Sequence, residues 1–248
     1  EDYVNYYFKE EDKIIQKVCV GFVINKKQSK NILDWLIKKH PLLFIIGKKI
    51  LDKNWFPIHT IKWVDEDYNW HLYSQITQDL YIGSIFIDKV LEKFVTKYTS
   101  LDLAKELMQN NLCELDDEKF ISNMFENYYN WNYLEFNFLS IPFIEKLFRK
   151  LNEMLGLTII NYKDDKIEYK SLDYLISSWV IKNLFRSRWE DFELYFRLVL
   201  TMVEGWNLRN NLAHGIELNH FYDKNISNRL FHILLCFSLI RIVELNNN

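Results

Sequence analysis

The chain has 248 residues, with 31 basic and 34 acidic side chains and a net charge of −3. That balance lacks the basic footprint of a high-affinity nucleic-acid carrier, and it speaks against sequence-specific DNA binding more than against brief contact with RNA. At 49% hydrophobic and 17% aromatic, with only 6 Gly and 3 Pro, the composition suits one large or two small domains built from long helices rather than many short strands. No apolar run approaches the roughly 20 residues of a spanning helix, so no membrane partner is expected, and no leader segment is read. Cys19, Cys113 and Cys236 are far apart, odd in number and without a CxxC pair. They read as reduced thiols of a cytoplasmic protein and give no structural zinc site. The chain starts at Glu1 rather than Met, as a fragment or processed form would.

In chain order, residues 1–13 are acidic and aromatic, a tether or a short helix. Ile14 to Ile24 is apolar and interrupted by Gly21, and periodicity leaves strand and buried helix both open. Ser29 to Lys39 is predicted as a helix with Ile32, Leu33, Leu36 and Ile37 on one face, stopped by Pro41. Residues 52–70 read as irregular and Trp-rich, with His59 and His71 expected as packed or surface histidines. Asp65-Glu66-Asp67 is too compact for a calcium site. His71 to Val95 is predicted as one long helix, with Gly83 a candidate break. Ser100 is expected to cap a helix ending at Met108. Asp116 to Tyr133 is expected to be another, its aromatic run Tyr128–Tyr133 serving helix packing rather than base stacking.

From Phe138 the apolar spacing tightens into four predicted helices. Ser140 and Pro142 open the first as cap and first-turn residue, and Gly156 ends it. Two β-prone runs around Lys163-Asp164-Asp165-Lys166 predict a hairpin. Ser171 caps the second helix, which runs through Trp179 to Leu184. The third extends from Trp189 to Trp206, and the fourth from Asn225 to Leu245. The fold class is therefore mainly α: residues 136–248 as an up-and-down four-helix bundle with a small hairpin insertion, preceded by a mostly helical region, 1–135, of unassigned role.

Between the third and fourth helices stands Arg209-Asn210-Asn211-Leu212-Ala213-His214, followed by Gly215. Histidine suits proton transfer near neutral pH, and arginine grips phosphate in a planar fork. A guanidinium and an imidazole without an acidic cluster or metal set are what metal-free RNA cleavage needs. On an ideal helix, residues five apart diverge by about 140°. Arg209 and His214 would therefore meet only across a helix break, through a bent arginine, or in a groove that collects two copies. The plainer reading is a helix end capped by Arg209 and Asn210, with Gly215 as its stop.

Arg209-Asn210-x-x-x-His214-Gly215 resembles the RNxxxH signature of HEPN domains, most closely the branch marked RNxxxHG. The likeness covers the chain from about Phe138 onward. It implies a metal-independent endoribonuclease that acts as a homodimer with a composite site, in antiviral or toxin-like defence. His214 would move protons, Arg209 would hold the scissile phosphate, and Asn210 would orient the histidine or bind a phosphate oxygen. No cofactor or metal is implied. A regulatory partner is compatible with such a role. Asn211, Arg186, Arg188 and Lys224 are weaker RNA-binding candidates, and Glu204 is a candidate partner for Arg209. His220 and His232 are expected at surface and core. HEPN toxins neutralised by a nucleotidyltransferase carry Tyr two places after the histidine. Ile216 stands here instead, which puts that form of regulation in doubt. The alternatives are a HEPN-like module that binds RNA or a nucleotide without cutting, and a helical protein-interaction domain.

Overall fold

The computed structural model describes residues 2–45, 48–51, 57–163, 166–216 and 218–241. They are mainly helical, with two small antiparallel hairpins. The first region comprises α1 (Asp2–Phe8), α2 (Ile14–Gly21), α3 (Lys26–Lys39), α4 (Leu42–Ile45), β1 (Lys48–Leu51), β2 (Pro57–Ile61), α5 (Tyr68–Lys97), α6 (Ser100–Met108) and α7 (Asp117–Tyr129). The second comprises α8 (Tyr133–Met154), β3 (Ile160–Lys163), β4 (Lys166–Tyr169), α9 (Leu172–Ile176), α10 (Trp179–Phe185), α11 (Trp189–Leu200), α12 (Leu208–Ala213) and α13 (Lys224–Ser238).

α13 is the axis of the fold. Every residue from Ile226 to Ser238 is buried, and the helix packs against α2, α5, α6 and α8. A helix apolar on one face would sit at the surface; this one is covered all round. Aromatic rings carry much of that contact. Phe231 stacks on Tyr128 at 4.3 Å between ring centres and meets Phe94 and Phe125 edge-on. The aromatic run at 128–133 therefore contributes Tyr128 to packing, while Trp131 is exposed.

Several expected boundaries move. The segment from Ile14 is helix as far as Gly21. α5 continues unbroken through Gly83, where a Cβ would lie 2.9 Å from the Arg229 guanidinium; the glycine makes room for that side chain. β2 falls in a stretch read as irregular, pairing with β1 from Lys48↔Ile61 onward. Thr99, not Ser100, caps α6, through reciprocal bonds with Asp102.

Pro142 and Ser140 lie inside α8 rather than at its start. The extra turns upstream are held by Phe136, which packs on Tyr128 and Phe231. The second predicted helix divides into α9 and α10. Buried Asn152 accepts from the Ser178 hydroxyl at 2.7 Å and donates to the Leu175 carbonyl at 3.3 Å, so both ends of the break are satisfied. The hairpin forms as expected, in the register Ile160↔Tyr169 to Lys163↔Lys166; Asp164 and Asp165 lie outside the described residues, as do Trp55, Val243 and Leu245. Among the described residues no helix is long and apolar enough to cross a membrane, and all three cysteines are free.

Candidate functional site

α11 ends at Leu200, six residues before the expected stop at Trp206. The chain turns there, with Thr201 and Met202 both donating to the Arg197 carbonyl at 2.8 Å. It then folds back on its own helix, and the Trp206 amide reaches the Leu198 carbonyl at 2.7 Å. Gly205 makes this possible, since a Cβ there would sit 2.0 Å from the same Leu198 oxygen. Two outer ties fix the turn. Thr77 on α5 donates to the Glu204 carbonyl at 2.9 Å, and Asp173 accepts from Arg197 and from the Thr201 hydroxyl.

From this turn springs α12, anchored by buried Leu208. Asn207 precedes it in the left-handed region, φ 51°, which a short amide side chain tolerates better than most. Asn210 spends its amide on the turn, donating to Asn207 Oδ1 at 2.7 Å and to the Thr201 carbonyl at 3.2 Å. Asn211 donates to the Trp206 carbonyl at 3.2 Å. In the chain on its own, both asparagines hold the α12 entry in place.

Arg209 turns toward α8. Its Nε donates to Glu145 Oε2 at 2.9 Å, and Nη1 approaches Asn210 Oδ1 at 3.4 Å. Glu145 takes a second guanidinium, Arg149 Nη2, on Oε1 at 2.5 Å. Partial burial pushes the Glu145 carboxyl up, but the hydrogen bonds and charges of Arg209 and Arg149 outweigh it, and the group is held below the usual carboxylate range. One carboxylate between two guanidiniums leaves a local surplus of one positive charge. Arg209 remains one-third exposed, and among the described residues its Nη2 has no partner. The acid beside Arg209 is thus Glu145, not Glu204. The Glu145-x-x-x-Arg149 spacing places those two on one helix face, but it carries no signal for Arg209.

His214 closes α12. Its amide donates to the Asn210 carbonyl at 3.0 Å, Gly215 donates to Leu212 at 3.2 Å, and Ile216 to Asn211 at 2.8 Å. Gly215 takes φ 64° to complete this stop. The imidazole is exposed and, among the described residues, makes no hydrogen bond or ion pair. α12 runs without a break from Leu208 to Ala213, with His214 as its C-cap, and among the described residues no hydrogen bond joins the Arg209 and His214 side chains.

The remaining candidates are dispersed. Arg188 binds Asp191 and the Val20 carbonyl, tying α11 to α2. Arg186 is exposed at the end of α10, with φ 46°. Lys224 pairs with Asp88 at 2.6 Å and Glu92 at 3.1 Å and lies over the Trp131 ring. His71 is buried, with Nε2 2.9 Å from the Lys62 carbonyl, and His232 lies in the core. The side chains of His59 and His220 are outside the described residues. Beside Glu145, Lys146, Arg149, Lys150 and Tyr169 line an open groove of about 480 Å³. Among the described residues no group of three His, Cys, Asp or Glu could hold a metal ion. No protein-family model matches the chain, and no curated protein or solved structure does.

Proposed function

We propose that this chain is a metal-independent endoribonuclease of the HEPN type, acting as a homodimer in antiviral or toxin-like defence in the cytoplasm. In this reading α8, α9 with α10, α11 and α13 are the four-helix bundle and α12 carries the signature. The observation that supports it is the display of the motif: a tied-down turn presents Arg209, one-third exposed, and His214, exposed, at the two ends of one short helix.

The chemistry requires two copies, because Arg209 and His214 do not meet within one chain. RNA supplies the nucleophile. His214 of one copy takes the proton of a 2′-hydroxyl, and the 2′-oxygen forms its bond to phosphorus as the bond to the 5′-oxygen breaks. His214 of the other copy gives that oxygen its proton. Arg209 holds the charge that develops on the phosphate. The products are a 2′,3′-cyclic phosphate and a 5′-hydroxyl. Asn210 acts as a positioning residue, since its amide is committed to the turn.

The test is cleavage of single-stranded RNA with EDTA present. Wild type cuts, and His214→Ala lowers the rate by about 10²–10⁴-fold while leaving the fold intact, because the exposed imidazole makes no hydrogen bond or ion pair among the described residues. Equal cleavage by His214→Ala would end this reading. A second reading, an RNA-binding module that does not cut, is favoured by the Glu145 carboxylate already seated on Arg209; RNA binding without cleavage, weakened by Arg209→Ala, would select it.

A further inference from the structure

Residues 26–63 hold nine lysines and two aspartates, with no Arg and no Glu. This stretch carries +7 in a chain whose total is −3, so everything outside it carries −10. It spans α3, α4, β1 and β2. Lys38 and Lys39 are exposed at the end of α3 and, among the described residues, make no ion pair. Basic residues in a last turn complement the helix dipole, and Lys26 pairs with Glu190 and Lys62 with Glu66, which accounts for four of the nine.

The same region exposes large apolar side chains. α4 points Phe44 inward, its ring centre 5.6 Å from that of His71 and its carbonyl accepting from Val64 at 3.0 Å. Leu42, Leu43 and Ile45 then face out, 74%, 61% and 55% exposed. Trp35 is 55% exposed, with its ring 6.4 Å from His40, and Trp63 adjoins the Phe44–Val64 bond at 45%. Single exposed apolar residues are ordinary, but five large ones within residues 35–63 are the composition of a contact surface.

We propose that the face built by α3, α4 and Trp63 docks on an anionic lipid surface. Lysines would neutralise headgroup charge, the two tryptophans suit the headgroup level, and Leu42, Leu43 and Ile45 enter the acyl boundary. RNA would answer the lysines and leave three aliphatic side chains wet. The face lies on the bilayer rather than crossing it, so the absence of a spanning helix among the described residues does not bear on it.

The experiment is co-sedimentation of the full chain with vesicles of phosphatidylcholine alone and of an equal mixture with phosphatidylserine. The protein sediments with the anionic vesicles, less so as salt rises, and stays in solution with phosphatidylcholine. Leu42→Ser with Leu43→Ser, and separately Lys38→Glu with Lys39→Glu, lowers the bound fraction about tenfold or more. All four positions are exposed, so far-UV circular dichroism should not change. His214→Ala binds vesicles as wild type does, which separates this face from the nuclease reading. Failure to sediment with anionic vesicles at low salt overturns the proposal, as does binding indifferent to both double variants. If instead the lysine variant loses only RNA affinity, or the leucine variant only dissociates a dimer, the face serves RNA or a second copy and the lipid assignment is wrong.

Discussion

Two helical segments of this chain carry arginine, asparagine and histidine close together, at different spacings, and use them in opposite ways. On α12, Arg209 and Asn210 stand at the entry, and His214 is exposed at the end. On α13, Asn228, Arg229 and His232 are all within 1% of full burial. Asn228 joins Tyr128 to Asp88. Arg229 donates to the Phe22 carbonyl at 3.1 Å and the Leu80 carbonyl at 2.8 Å, with Nε unpaired. His232 has Nε2 3.2 Å from the Val18 carbonyl, which can only accept, so that nitrogen bears the proton and Nδ1 accepts from Tyr195. The α13 set is spent on stitching α2, α5 and α7 to the core. The imidazole of His214 makes no hydrogen bond or ion pair among the described residues. Residue type does not assign a role; partners and exposure do.

The largest effect that would sharpen this contrast is on Arg229. Arg229→Ala leaves a cavity and removes one donor from each of two carbonyls, and should cost about 3–5 kcal/mol in urea denaturation. A loss comparable to that of a surface substitution would break the comparison.

His232 comes next. Burial first, then the neighbouring Arg229 charge, holds its pKa down to about 3. The unfolded chain takes up a proton near the ordinary value of about 6.5, while the folded chain stays neutral until about 3. Stability is therefore complete above the first value and falls progressively toward the second, by an amount on the order of 3–5 kcal/mol. His232→Gln, measured across the same window, should be less stable at neutral pH but distinctly flatter on its acid side. An unchanged slope would contradict a neutral buried imidazole.

The smallest effect is at the α12 site. Glu145 has a lowered pKa, so its contribution is present above the usual carboxylate value of about 4.3 and is lost as pH falls through the lower folded value. Because Arg209 is one-third exposed, solvent screening keeps that contribution to about 1 kcal/mol or less. Glu145→Gln should change stability by no more than this at neutral pH, and its acid-induced loss should be correspondingly smaller. A loss of several kcal/mol would make the Arg209–Glu145 pair a structural link of the α13 kind.

Much of the helical content was legible in the apolar spacing, and Gly156 and Gly215 marked two helix ends because a left-handed residue is needed there and glycine adopts it freely. Spacing misplaced the ends of α8 and α11. At α8 it started the helix at Ser140 and Pro142, whereas Phe136 earns a place in the core through contacts about a hundred residues downstream. At α11 it ran on to Trp206, because Val203 and Trp206 kept the period while the backbone had already turned. The candidate motif was visible as a string of residue types, but Glu145 was not. It lies 64 residues before Arg209, and no local pattern couples positions so far apart.

The amino-acid order by itself determined that the chain is largely helical, where its hairpin near residue 165 falls, and that an arginine, an asparagine and a histidine stand just before Gly215; these follow from nearest-neighbour sterics, side-chain period and composition. Tertiary structure decided which helix is swallowed by the others, which arginine receives a carboxylate and which only carbonyls, and which histidine is left to solvent. Burial and ion pairing depend on atoms brought together from remote parts of the chain, and only the folded arrangement sets those distances.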